Sequence, residues 1–373
     1  MVRVRGVAVG VAVVVMVAWV AGCDGGGGKG GPSGAAAKPA AEAPQPLVIT
    51  QAEAEKVFSR YEWERRSSMG WKESEGIAKV VTGPLMAERK ADAALRAIQG
   101  DLHGAVAGLV NPAFAIPAER DQPSYPRSFA VFSKANGRED GPATAVHYFV
   151  QEAPGGEWKA AVETWVATAA SVPLEAGDVS PFAGLAVQLR KTPVAAVSRD
   201  AAGAAVLSPT AEADRGACGR FADYLSFTTT DAEPQSAEFA QGPLTAGAIG
   251  ELKAKAEHPG LKGLVRYTYK HEVTGPQLPV LKLDNGTSLV ACPLLRSEHV
   301  EGKAGTVSFT FDEDSGHSTL LDAKGKRWRS SDAKLSLTAV IEVPAAGGPG
   351  QAEVAACNCR RPQLLEATGK IAD

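Results

Sequence analysis

The chain has 373 residues, 45% of them hydrophobic and 22% charged, with a formal charge of −3. Those proportions are ordinary for a globular protein. Mild acidity gives no sign of a nucleic-acid partner, which requires a concentrated basic patch.

In chain order, Met1-Val-Arg-Val-Arg5 is a short basic segment, Val7 to Val20 is apolar, and Val20-Ala-Gly-Cys23 follows. A charged start, an apolar run of this length and small residues at the cut are the parts of an export signal. The apolar run is shorter than the roughly 20 residues of a spanning helix. No later run approaches that length. Val20-Ala-Gly-Cys23 resembles the bacterial lipobox, which implies cleavage before Cys23, diacylglycerol on its thiol, and palmitate as a further lipid of the anchor. The resemblance predicts a signal peptide over 1–22 and an extracytoplasmic chain held to the cell membrane by lipid. Without a paired Arg-Arg, the general export route is expected. Loss of Arg3 and Arg5 takes the charge to −5. Residues 23–46, nearly all Gly, Ala, Pro, Ser and Lys, cannot bury enough apolar surface to offset the entropy of ordering. They read as a solvated spacer.

Thr50-Gln-Ala-Glu53 has the spacing of a capping box, and Ala54, Val57, Phe58 and Tyr61 recur at helical period. A helix is predicted over 51–68, and a second over 73–99 broken near Gly83-Pro84. Strands are predicted at 128–132, 143–151 and 158–167, with Pro154-Gly-Gly156 turning between the last two. Helices follow at 209–225 and 242–257. Strands are then expected at 264–273, 280–283, 287–295, 306–311, 334–343 and 353–359, with a tight turn at Asp284-Asn-Gly286. The order helix, helix, antiparallel strands thus occurs twice, and Gly83-Pro-Leu85 is echoed by Gly242-Pro-Leu244. The fold class is α+β, with modules expected over 47–170 and 171–373, each a curved antiparallel sheet with helices on one face.

Helices followed by a meander, with Gly-Pro-Leu in the second helix and Gly155-Gly-Glu-Trp-Lys159 before a strand, resemble the NTF2-like or cystatin-like cone. From lipobox to tail the chain is similar to actinobacterial lipoproteins that carry a domain of unknown function. That resemblance implies fold and location, and no activity.

Cys218, Cys292, Cys357 and Cys359 are an even set in an exported chain, so disulfides are expected. If Cys357-Asn-Cys359 is a strand, its thiols share a face and a bond between them is awkward; each is then expected to find Cys218 or Cys292. The paired CxxC spacing of structural zinc sites is absent.

Ser331-Asp-Ala-Lys334 matches SxxK, but it leads into a strand where that chemistry needs a helix start. Asp312-Glu-Asp-Ser-Gly316 begins like a calcium loop, yet its twelfth position is Ala323 where a glutamate must close it. His103, His147, His258, His271, His299 and His317 show no metal-ligand spacing. No cofactor, metal or catalytic residue is therefore read. Tyr61, Tyr148, Trp158 and Trp165 fall on elements expected to line the first sheet, and any pocket is placed near Tyr61, Tyr148 and Trp165. The expected function is a non-catalytic envelope module that binds a partner protein or a small apolar ligand. The alternatives are an envelope hydrolase and the solute-binding lipoprotein of an importer.

Overall fold

The computed structural model describes residues 45–69, 75–99, 108–135, 144–166, 194–257, 261–303, 308–311, 315–359 and 362–372. The expected signal, Cys23 and most of the spacer lie outside these residues, as do His103, His258 and the boundary expected near residue 170. Among the described residues no helix is long and apolar enough to cross a membrane.

The chain enters α1 (Gln51–Met69) through the predicted capping box. Glu53 N–H donates to Thr50 Oγ1 at 3.3 Å, and Thr50 N–H donates to Glu53 Oε2 at 3.2 Å, so two orphan donors are satisfied reciprocally. Ala54, Phe58, Tyr61 and Arg65 are buried at steps of three and four, which is one stripe of a helix. After the short α2 (Glu75–Ala78), α3 (Gly83–Gln99) starts with Pro84 in its first turn, where a missing N–H costs nothing.

The first sheet is antiparallel, in the order β1 (Leu109–Ala115), β2 (Arg127–Ala135), β3 (Thr144–Gln151), β4 (Lys159–Val166). Alternation sends its side chains to two buried layers. Phe129, Val131, Ala145, Phe149 and Ala160 pack under α1–α3 with Phe58 and Tyr61. Ala130, Val146, Tyr148, Val150, Ala161 and Val162 point the other way.

That opposite layer is closed by a second antiparallel sheet. Its strands are β5 (Phe227–Thr228), β6 (Val265–Val273), β7 (Leu281–Lys282), β8 (Ser288–Gly302), β9 (Trp328–Val343), β10 (Glu353–Cys357) and β11 (Gln363–Ile371). The long β8 and β9 change partners along their length: β8 pairs β7 and then β6, and β9 pairs β11 and then β10. Pro293 lies inside β8 yet breaks no ladder, because it falls between the β7 pairing, which ends at Leu289, and the β6 pairing, which begins at Leu294. Leu281, Leu289, Ala291, Val340 and Ala356 meet the first sheet. Cys292, Leu294, Leu337, Ala339 and Ile341 face α4 (Ala211–Leu225) and α5 (Ala246–Glu257). The layers therefore run helices, sheet, sheet, helices, and the two sheets share one apolar layer. Residues from Pro44 on form one unit. A short α6 (Gly316–Leu321), capped by Ser315 Oγ, packs against β11.

The cysteine expectation is corrected. Cys218 on α4 is bonded to Cys292 on β8, and Cys357 is bonded to Cys359. The second bond is possible because β10 ends at Cys357. The chain bends there and brings the Cα atoms to 5.1 Å, where two steps of strand would span about 6.6 Å.

Candidate functional site

Where β3 and β4 pair, His147 and Glu163 face each other on the side covered by α1 and α3. Tyr61 Oη donates to Glu163 Oε2 at 2.6 Å, and the Arg89 guanidinium from α3 forms a short ion pair with the same oxygen. Arg65 sits beside them, buried and paired with Glu62 at 2.8 Å. Glu62 in turn accepts the backbone N–H of Leu109, tying α1 to β1. His147 is edge-on to Phe58 and Tyr61. Neither ring nitrogen meets a partner at full hydrogen-bond geometry, the nearest being the Val131 backbone on β2.

The electrostatics of this network argue against acid–base chemistry. Burial pushes the Glu163 carboxyl up, but Arg89 and its neighbours overcome that and hold it at about 2. Burial and the Glu163 charge raise the Tyr61 phenol well above its usual range. Burial lowers His147 to about 4 against the pull of Glu163, so the ring is neutral at neutral pH. A general acid or base works best with a pKa near the operating pH, and each of these groups is driven away from it.

A second network lies under α5. Glu298 on β8 is paired with Lys255 at 3.1 Å and Arg296 at 3.3 Å. Arg296 stacks over Tyr269, 5.7 Å from its centroid, and Tyr269 Oη donates to the Leu252 carbonyl. His271, opposite Arg296 across β6 and β8, is lowered to about 3, chiefly by burial. This set places two cations, Lys255 and Arg296, on one carboxylate, Glu298.

The expected pocket residues do not converge. Tyr61, on α1, is fully buried against the first sheet, and Trp165 packs at the edge of that same layer. Tyr148 points into the layer between the sheets, so it cannot share a pocket with the other two. Trp158 stands edge-on to Phe129. Of the remaining histidines, His299 pairs with Asp332 at 2.7 Å and His317 stacks on Phe311. In the SxxK match, Ser331 and Lys334 are three apart on β9 and so project to opposite faces. Ser331 donates to the Thr368 carbonyl, and Lys334 pairs with Glu366. Among the described residues no group of three or more His, Cys, Asp or Glu is placed to hold a metal ion.

An open cleft of about 310 Å³ lies elsewhere, between the β1–β2 edge of the first sheet and residues 194–199. Phe114, Phe132, Val166, Val194 and Val197 line it, with Lys134 and Arg199 among the polar lining. Arg199 is fixed by donating to the Phe114 and Gly203 carbonyls, at 2.6 and 2.8 Å. Asn111, one of two non-glycine residues with positive φ among the described residues, bends β1 at the same place. The expected strands omitted β1, because Asn111-Pro112 argues against a regular strand; Pro is tolerated here at a bulge on an edge.

Neither the curated proteins nor the solved structures yield a match to this chain. A family model described as a domain of unknown function, DUF8094, matches residues 45–363, which spans the first sheet, the second sheet as far as the start of β11, and their covering helices. The chain belongs to the DUF8094 family.

Proposed function

We propose that this protein is a lipid-anchored, extracytoplasmic binding module whose ligand is a small apolar molecule carrying an anionic group. The observation that supports this reading is the cleft at β1 and β2. Its aromatic and aliphatic walls suit an apolar body, and Lys134 and the fixed Arg199 suit a negative head. Its volume is at the small end of ligand pockets, which favours a compact ligand. On this reading each half derives from a helix-covered cone of the NTF2-like or cystatin-like kind, and the two stand back to back through their sheets.

Anilinonaphthalene sulfonate, an apolar anion, is a suitable probe. Its fluorescence is expected to rise saturably on titration with the folded chain. Ala195→Trp, which fills the cleft, is expected to abolish the rise without changing the unfolding midpoint. Lys134→Gln is expected to weaken binding by roughly threefold, the worth of one exposed charge pair. Binding that is undiminished in Ala195→Trp would place the probe elsewhere and sink the proposal.

The anchor is tested separately in the bacterial cell. Cys23→Ala removes the only thiol the lipobox reading can use, so the chain is expected to leave the membrane fraction for the soluble one. Full retention on membranes would defeat the anchor.

A further inference from the structure

The second sheet carries its two disulfides in one cross-strand row. Cys292 on β8 faces Ala339 on β9, and Ala339 faces Cys357 on β10. The two bonds differ in exposure and in the loop each closes. Cys218 is 5% exposed and Cys292 is 0% exposed, so the first bond is closed to an incoming thiol. Cys357 is partly exposed at the edge of the helix-facing core, whereas its partner Cys359 is 5% exposed and lies within that core. The backbone N–H of Cys359 donates to Cys357 Sγ at 3.1 Å, a contact that favours a thiolate on that sulfur. The turn does not depend on the disulfide alone: Asn358 Oδ1 accepts from Thr338 N–H at 2.6 Å.

Loop length separates the bonds further. A disulfide gains its hold on the folded chain by restricting the unfolded one, and the restriction grows with the loop it closes. The sequence separations are 74 and 2. Relative to the unfolded chain, folding therefore adds more to the closure of Cys218–Cys292 than to that of Cys357–Cys359, by a factor on the order of a hundred.

We propose that Cys357–Cys359 is a thiol–disulfide exchange site for dithiol substrates, with Cys357 the sulfur that meets substrate and Cys359 the resolving sulfur. A substrate thiolate attacks Cys357 Sγ. The Cys357–Cys359 bond breaks, and its electron pair leaves on Cys359, which takes up a proton in its buried setting. The second substrate thiolate then attacks the substrate sulfur of the mixed disulfide and releases Cys357 as the thiolate, held by the Cys359 N–H. The substrate dithiol loses two electrons and two protons, and the Cys357/Cys359 pair gains the electrons. In reverse, the Cys357 thiolate attacks a substrate disulfide and Cys359 resolves the intermediate.

The experiment titrates the folded full chain against mixtures of reduced and oxidised dithiothreitol, with alkylation and mass mapping. Cys357–Cys359 is expected to open at a reduced-to-oxidised ratio at least tenfold lower than Cys218–Cys292, with the far-ultraviolet circular dichroism unchanged. Both bonds opening together, or Cys218–Cys292 opening first, overturns the proposal without any variant. In a second arm, Cys359→Ser treated with glutathione disulfide is expected to take one glutathione on Cys357. Cys357→Ser is expected to take none on the buried Cys359. An adduct on Cys359, or none on Cys357, overturns the assignment of roles. Neither arm depends on the cleft, so failure here leaves the binding proposal standing.

Discussion

Lowering the pH from 7 to 4 is expected to cost the folded chain about 6 kcal/mol of stability, most of it through two buried histidines. His147 falls to about 4 and His271 to about 3 in the folded chain, against 6.5 when exposed. In both, burial is the largest cause. The unfolded chain therefore binds more protons than the folded one between those values. Stability from keeping each ring neutral is fully present above 6.5 and falls with pH, by about 3 kcal/mol per ring at pH 4. Around His147 stand Glu163, Arg65 and Arg89, and beside His271 stands Arg296; of these only Glu163 pulls the other way. Glu163 itself contributes stability that is fully present above its unfolded value near 4.5; it has lost roughly 1 kcal/mol of that by pH 4, and most of the loss comes lower, towards 2. Glu88 opposes the trend, because burial raises its carboxyl and so favours the folded state at lower pH. Urea unfolding at pH 7, 6, 5 and 4 measures the loss. His147→Phe, which keeps a ring among Phe58, Tyr61 and Phe149, is expected to remove about half of the pH dependence. An unchanged slope in that variant would show that the ring does not titrate on unfolding.

The elements that sequence reasoning locates well are those with an unbroken period. The capping box places the start of α1 to the residue, and the two glycine turns place the β3–β4 and β7–β8 connections, where Gly155 and Gly286 take positive φ. The omitted strands are edges. β1 carries Asn111-Pro112 at its bulge, and β11 reads polar because Glu366, Gly369 and Lys370 lie on a strand that pairs on one side with β9. Gly369 is required there, since a Cβ would meet the Trp328 ring at 2.6 Å. Pairing of the two sheets leaves no local trace, because Val146, Tyr148 and Val150 look the same whether they face helices or a second sheet. The same period places Tyr148 with the helices, whereas it faces the second sheet. The Glu163 network is illegible for a different reason. Its partners lie 74 and 102 residues away, on α3 and α1. The available signal was a charged residue at an inward position of β4, opposite His147 in register.

Glu163→Ala is expected to destabilise the chain by about 3–5 kcal/mol, a large share of the roughly 5–15 kcal/mol that keeps an ordinary domain folded. The carboxylate side chain is 7% exposed and the Arg89 side chain 15%, so water can replace little of what each gives the other. Loss of the carboxylate leaves Arg89 as a buried charge facing Arg65, and it leaves Tyr61 Oη without its acceptor. An uncompensated buried charge is costlier than the pair is beneficial, because the desolvation of two ions cancels most of their attraction. The double variant Glu163→Leu with Arg89→Met therefore serves as the discriminating measurement. It removes both charges, keeps apolar volume between α3 and β4, and is expected to recover most of what the single variant loses. Denaturant midpoints of the native chain, the single variant and the double variant measure this directly. A loss below about 1 kcal/mol in Glu163→Ala would mean the pair is solvated like a surface bridge. A double variant no better than the single one would mean that the Tyr61–Glu163 hydrogen bond, rather than charge balance, holds α1 to the sheet.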